Sequence, residues 1–419
     1  MGHAVFRRHA LKNLADHDSF VDGIPHDTFE QMRNDAPLHW TPPFAGNKGF
    51  WSLTRYADIM AAQKDTKTFS SAQGIRIEDQ SREEYLARRT FQETDPPEHS
   101  AVRRVVNPAF AKPVMAGFEP MIRELAHDII SQALEHKEFD GVELIAKRLP
   151  MLMLGRILGV PEADLDWLLE RGDALIGNTD PDFTTTVIDK VDTEAYRMMP
   201  FRSPAGVELY DYAERVLMGV TKIDDAGILA RVLKAENGAM QGQDFKNFFC
   251  LLIAAGNDTT RYSIAMALWL VTQQKDLLAQ LQSGAVWDTC ADEFIRLASP
   301  TLHFRRTATK DVGMHGQTIR RGDKVLMWFA SGSRDAEVFD VPHQARLDRS
   351  PNRHLAFGQG GPHVCLGMWL AKLELKCVLQ ELSSRITGLE AVDAPTWTRS
   401  NFICGVKSLT LRPTLKGTS

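Results

Sequence analysis

Cysteine is scarce: there are five in 419 residues, at 250, 290, 365, 377 and 404, an odd number with no short-spaced pair. This speaks against a disulfide-stapled fold and a four-ligand zinc module, and it fits a reducing cytoplasm. Basic residues are no more abundant than acidic ones, 49 against 54, so no cationic field for a nucleic-acid backbone is expected. Long apolar runs are also missing. Residues 1–20 never build the apolar core of a leader or membrane anchor. The greasiest stretch, 248–256, is interrupted by Asn257, Asp258, Thr259, Thr260 and Arg261 before it reaches a spanning length. There is no internal repeat, no Pro/Gly/Ser linker, no GxGxxG loop and no cluster-ligating run of cysteines.

What is present is an ordinary globular balance, 43% apolar and 25% charged, which rules out a disordered or collagen-like chain. Length alone would allow two or three domains at roughly 150 residues each. With no linker to divide it, 1–419 reads as one domain, mainly α with small β-sheets. Apolar residues recur at three- and four-residue steps over 121–134, 142–158, 277–281 and 366–386, the spacing of amphipathic helices. Pro161, with Glu162 and Asp164 behind it, marks a helix start. Strand patterns occur near the N-terminus, at 49–53, and again at 325–330 and 408–412. Residues 71–95 and 331–364 read as long irregular stretches, which in a compact protein are usually functional.

The densest special chemistry is FGQGGPHVCLG, 357–367, running into the periodic segment MWLAKLELKCVLQEL. Its glycines allow a close backbone approach. Cys365 is expected to open a helix, where the dipole and free N–H donors favour its thiolate. That suits a nucleophile or a metal ligand. With no partner Cys or His at zinc spacing, a single thiolate on a porphyrin iron fits better than zinc; the plain alternative is a buried structural cysteine. Within the apolar helix, Gly256 costs about 0.5–1 kcal/mol relative to alanine, which predicts that something flat passes close by. Thr259 can turn its hydroxyl onto a preceding carbonyl, and Asp258 offers a titratable group for proton relay. The alternative there is a helix crossing from core to solvent. Glu293 and Arg296 stand on one helix face, a spacing shared by Glu30–Arg33 and Glu194–Arg197.

In order along the chain, DPPEHSAVR (95–103), AGNDT (255–259), EFIR (293–296), HLAFG (354–358) and GGPHVCLG (360–367) resemble the motifs of the cytochrome P-450 haem-thiolate monooxygenases. The resemblance is to the soluble bacterial class and extends over 29–411. Phe357 to Cys365 is one residue longer than the family's usual spacing. The GGPH form is similar to that of bacterial members acting on terpenoids, sterols and branched lipids. The resemblance implies a triangular, mostly helical fold enclosing haem b, with Cys365 as iron ligand. It implies that Gly256, Phe357, Gly358, His363 and Gly367 contact the haem, and that His99, Arg103, Arg306 and His354 serve its propionates. Thr259 and Asp258 would act in oxygen activation, Asp258 by passing protons from solvent. Glu293 and Arg296 would tie the structure beneath the haem, completed by Gln344, Arg346 or Arg349.

The reaction so implied is insertion of one atom of O2 into a C–H bond of a medium-sized apolar substrate. A terpenoid, steroid-like or branched-lipid compound is favoured, with a small aromatic compound as the competitor. Pocket walls would come from 72–91, 175–200, 249–255, 301–304 and 401–403, with Ile75, Phe91, Leu175, Phe183, Leu252, Ala255, Leu302 and Phe402 as candidates. Electrons would come from a separate ferredoxin-type carrier and its NAD(P)H reductase, docking on a basic patch that includes Arg104 and Lys372. The protein is expected to be a cytoplasmic monomer with no membrane anchor and no nucleic-acid partner. Two other readings keep the haem: a peroxygenase or isomerase, against which the Asp258–Thr259 pair argues, and a non-enzymatic ligand-binding protein.

Overall fold

The computed structural model describes residues 10–234 and 240–417. Residues 1–9, part of the segment read as lacking a leader core, lie outside the described residues. The organising element is the helix Gln243–Gln273, whose apolar residues cover most of its circumference and which is buried over much of its length. Helices Arg148–Leu158, Leu165–Ile176, Pro204–Leu217, Cys290–Ala298 and Met368–Arg385 pack around it, and their apolar faces share one core with it. Gly159, at φ 82°, ends the first of these with the left-handed residue that helix C-termini favour. The fold is mainly helical with small sheets. Among the described residues no helix is long and apolar enough to cross a membrane.

The helical patterns at 121–134 and 277–281 fall on Glu119–Leu134 and Leu277–Ser283. Pro161 precedes a short 3-10 turn that leads into Leu165–Ile176. Two expectations need correction. The pattern at 142–158 divides into a π-turn, Val142–Ala146, and the helix Arg148–Leu158. The last long helix begins at Met368, so Cys365 precedes it instead of opening it.

The strand patterns at 49–53 and 325–330 are parts of one sheet. Phe50–Leu53 runs parallel to Lys324–Trp328, with Trp51 opposite Val325. The five strands lie in the order Leu38–Thr41, Phe50–Leu53, Lys324–Trp328, His303–Ala308, Phe69–Ser70. The central strand is buried at every position, which explains its nearly unbroken apolar sequence. It stops at Trp328, and Phe329–Gly332 turns into a short helix. The 408–412 pattern belongs to Thr410–Leu415, which pairs with Ile386–Ala391 and Phe139–Asp140.

Residues 71–95 are less irregular than expected. Ser81 Oγ accepts from Glu84 N at 3.1 Å and Glu84 Oε2 accepts from Ser81 N at 2.6 Å. This capping box starts the helix Arg82–Arg88. The Ser-x-x-Glu spacing was the signal for it.

Candidate active site

A cavity lies between the central helix and the segment that leads into Met368–Arg385. Its wall carries Gly256 and Thr259 from the first, and Phe357, Gly358, His363, Cys365 and Gly367 from the second. The Cys365 N–H donates to the Phe357 carbonyl at 2.8 Å, which closes the loop. The loop glycines answer to a neighbour the sequence did not reveal. A Cβ on Gly360 would meet Met60 Sδ at 2.6 Å, and one on Gly361 would strike the Gln63 carbonyl. The helix Tyr56–Lys64 therefore requires their smallness, and Gln63 Nε2 donates to Gln359 O at 2.7 Å. Cys365 opens onto the cavity, inside the protein. Burial pushes its thiol up, while the Gly367 N–H and Arg103 pull it back toward thiolate.

On the facing helix, Thr259 Oγ1 donates to the Ala255 carbonyl at 2.9 Å. The missing side chain of Gly256 is explained by packing: a Cβ there would meet Leu154 Cδ1 at 2.7 Å, so the close approach is by the helix Arg148–Leu158. Asp258 is buried and paired with Arg261. Burial raises its carboxyl above the ordinary value, against the pull of Arg261 and with a further push from Asp173. Arg261 Nη1 also donates to Asp173 Oδ1 at 2.7 Å; Asp173 Oδ2 lies 3.1 Å from Lys147 Nζ. Lys147 Nζ in turn meets Glu143 Oε2 at 3.2 Å, at the surface. Sequence reasoning missed this chain of charges. The Asp-x-x-Arg spacing inside an apolar helix could have revealed Arg261; nothing local announces Asp173 or Lys147, which come from elsewhere in the chain.

At one edge of the cavity four nitrogen-bearing side chains converge. The helix Glu98–Val106 presents His99 and Arg103 one turn apart. The His99 ring stands 4.0 Å from that of His363, and Arg306 comes from the buried strand His303–Ala308. Both His99 nitrogens and Arg306 Nε are buried without a hydrogen-bond partner, and the Arg103 side chain makes no hydrogen bond among the described residues; His363 Nε2 lies 3.3 Å from Ser71 Oγ, and Arg306 Nη1 donates to Arg305 O at 2.9 Å. Burial, with Arg103 and Arg306 nearby, pushes His99 down to about 4. Burial, Arg306, His99 and Arg103 push His363 down to about 2, and burial takes Arg306 down to about 10. Orphaned buried donors under mutual repulsion call for anionic oxygens. The two carboxylates of a haem, whose iron Cys365 would hold, would fit that demand. His354 is fully buried outside the cavity wall; its Nε2 bonds Asp292 Oδ1 at 3.1 Å, while its Nδ1, like the His99 nitrogens, is buried without a partner.

Glu293 and Arg296 form a fully buried bidentate pair, both bonds at 2.8 Å. Of the three expected candidates it is Arg349 whose side chain completes the tie, its Nε donating to Glu293 Oε2 at 3.0 Å beside Asn352 Nδ2 at 2.9 Å. Gln344 offers only its carbonyl to Arg296. Arg346 gives Glu293 only its main-chain N–H and sends its side chain to Asp340 at 3.0 Å.

Of the expected wall residues, Ile75, Phe91, Leu252, Ala255 and Phe402 line the cavity. Leu175, Leu302 and Phe183 do not. Leu175 and Leu302 are buried in the core, and their neighbours Ile176 and Thr301 face the cavity instead. Phe183 lies under the Arg261 guanidinium, 5.6 Å from it. Arg104 is exposed as a docking cation should be, but Lys372 is paired with Asp292 at 2.6 Å, so its charge is already matched.

Fold and cavity point to the class of haem-thiolate oxygenases, and known proteins similar to this chain agree. The cytochrome P-450 family profile matches residues 285–385. Linalool 8-monooxygenase of Pseudomonas putida is 33% identical over 412 residues, which cover 95% of this chain and 97% of that one. The methyl-branched lipid omega-hydroxylase of Mycobacterium tuberculosis is 31% identical over 401 residues, covering 93% and 91%. The structure of a Mycobacterium marinum cytochrome P-450 in complex with pseudoionone superposes with a TM-score of 0.85 at 30% identity, over 98% of this chain and 100% of that one. The chain belongs to the cytochrome P-450 family and is a hydroxylating monooxygenase, an oxidoreductase that incorporates oxygen from O2. The family implies a haem with a cysteine thiolate, and its bacterial members generally draw electrons from redox partners.

Proposed function

We propose that the chain, acting as one domain over 1–419, hydroxylates a medium-sized apolar substrate of the terpenoid, steroid-like or branched-lipid kind on a haem b ligated by Cys365. The observation that carries this reading is the cavity itself: Cys365 and Thr259 share its wall beside His99, Arg103, Arg306 and His363, where both His99 nitrogens and Arg306 Nε are buried without a partner. A haem held there supplies, once reduced, activation of O2 and oxidation of an unactivated C–H bond, with the thiolate favouring O–O cleavage. Cys365 Sγ would hold the iron; Gly256, Phe357, Gly358 and Gly367 would bound the macrocycle; the Arg103 and Arg306 cations, with the His99 and His363 imidazoles beside them, would hold the propionates. Thr259 Oγ1 carries a proton at the wall and gives up its bond to Ala255 O to deliver it. Asp258 holds the next proton, and Arg261, Asp173, Lys147 and Glu143 link that store to the surface. The apolar wall (Ile75, Phe91, Ile176, Leu252, Phe304 and Phe402) excludes water and orients the substrate.

Glu293, Arg296 and Arg349 support this site without touching it. Electrons arrive from a ferredoxin-type carrier reduced by an NAD(P)H reductase, on a surface that includes Arg104, and the enzyme works in the cytoplasm as a monomer. The activities of the two relatives, on linalool and on a methyl-branched lipid, favour an apolar substrate over other classes. The test is a titration of the haem-loaded protein with linalool, a methyl-branched fatty acid and a sterol, reading the low-to-high-spin shift, followed by turnover with ferredoxin and reductase. A saturable shift and a hydroxylated product with at least one of them is expected. No shift and no product with any would contradict the reading.

A further inference from the structure

A second set of cavity residues lies outside the His99–His363 group: Ile75, Arg76, Arg88, Phe91, Glu93 and Phe201. Two of the three arginines in the cavity wall are accounted for. Arg103 belongs with His99 and His363. Arg88 donates to Gln80 Oε1 through Nε at 3.2 Å and Nη2 at 2.9 Å, and to Arg197 O through Nη1 at 3.0 Å. Arg76 remains. It makes no hydrogen bond among the described residues, and the one carboxylate within ion-pair reach, Glu78, stands off at 3.8 Å with the Arg76 side chain 17% exposed.

Its guanidinium instead lies over the Phe201 ring, 4.3 Å from the centroid. That platform is fixed at a conformational cost. Phe201 and Arg202 take φ of 57° and 49°, two successive non-glycine residues in the left-handed region. Asn178 Nδ2 donates to the Phe201 carbonyl at 2.6 Å, and Arg202 Nη2 meets Glu194 Oε2 at 3.2 Å. The charges bearing on His99 and His363 include Arg103 and Arg306 but not Arg76, which bears on Glu78, Glu93, Arg88 and His303. The two cationic ends of the cavity are therefore distinct. Burial raises the Glu93 carboxyl despite Arg76, which weakens it as a competitor for that guanidinium; Glu78, whose carboxyl Arg76 draws down against burial, is the remaining internal partner and stands at 3.8 Å, beyond hydrogen-bond reach.

A planar guanidinium, held on an aromatic face, its donors unfilled and opening into an apolar cavity, suits a carboxylate, which its fork can meet with two parallel bonds. We propose that Arg76 is the specificity residue of this pocket and takes the carboxylate end of an apolar acid, so that the substrate class is a fatty or terpenoid acid and not a neutral hydrocarbon. The inference rests on the cavity being the monooxygenase pocket and adds the polar end of its ligand.

The test uses two probe pairs on haem-loaded protein: dodecanoic acid with its methyl ester, and 3,7-dimethyloctanoic acid with its methyl ester. The readout is the dissociation constant from the spin-state shift. Wild type is expected to prefer the acid of at least one pair by about ten- to a hundredfold. Arg76→Gln abolishes that preference, and Arg76→Lys keeps part of it. Equal affinity for acid and ester, preference surviving in Arg76→Gln, or no saturable shift with either pair would each overturn the proposal. The carbon monoxide spectrum of each reduced variant separates the two levels. Lost acid preference with an intact thiolate spectrum indicts Arg76 alone, whereas a lost spectrum indicts the haem site.

Discussion

Asp258 is paired with Arg261, three residues further along the same helix, and both side chains are buried. Arg261 is therefore shared between the residue beside Thr259 and Asp173 on a neighbouring helix. Removing one member of a buried charge network strands the others and costs about 3–5 kcal/mol. Arg261→Ala is expected to lower stability by that order in chemical denaturation. Asp258→Asn leaves Arg261 with Asp173 and is expected to keep the fold but lower turnover by about a hundredfold or more, as loss of a positioned proton donor does. Turnover equal to wild type in Asp258→Asn would remove Asp258 from the proton path.

The Glu293–Arg296 tie discriminates among three neighbours. Arg349 contributes a buried charged side chain, so Arg349→Ala is expected to cost about 3 kcal/mol and to reduce haem retention. Gln344→Ala removes an exposed side chain whose carbonyl alone is used, and its effect should stay within about 0.5 kcal/mol. Thermal denaturation of the two variants side by side checks the contrast; equal effects would contradict it.

Neighbouring residues on one helix should behave oppositely. Leu175→Ala is expected to cost about 2–5 kcal/mol through a core cavity while leaving substrate affinities unchanged. Ile176→Ala is expected to change those affinities with a smaller loss of stability, because its side chain meets the cavity. Spin-state titrations together with melting curves distinguish them, and reversed outcomes would mean that the helix Leu165–Ile176 faces the other way.

Glu374 is a buried carboxyl with Oε1 unpartnered, and burial pushes it from 4.5 up to about 8. The folded state therefore keeps a proton that the unfolded chain has already lost across that interval. Stability is expected to fall as pH rises from about 4.5 to 8, by up to about 1.4 kcal/mol per pH unit. Glu374→Gln should flatten this slope. Denaturant midpoints across the interval test it; a slope of the opposite sign, or one unchanged in the variant, would contradict it.

The ordered motifs were legible because each is local. Cysteine, glycine, acid, alcohol and basic residues stand at fixed short spacings, and the structure brings Cys365, Thr259, His99, Arg103 and His363 to one cavity. What could not be read depends on contacts remote in sequence. Leu175 and Ile176 are equally apolar, and only helix packing decides which faces inward. Gly256, Gly360 and Gly361 are small because Leu154, Met60 and Gln63 press against them, and those partners lie far away in the chain. His354 bonds Asp292 of the helix Cys290–Ala298, and Arg76 meets Phe201 across more than a hundred residues.

The central claim is a bond from Cys365 sulfur to haem iron. It is tested most directly by the absorption spectrum of the reduced, haem-loaded protein under carbon monoxide. The account predicts the strongly red-displaced Soret band of a thiolate-ligated haem in the wild type and its loss in Cys365→His. A wild-type band at the position given by a histidine-ligated haem, or a red-displaced band that survives in Cys365→His, would contradict it.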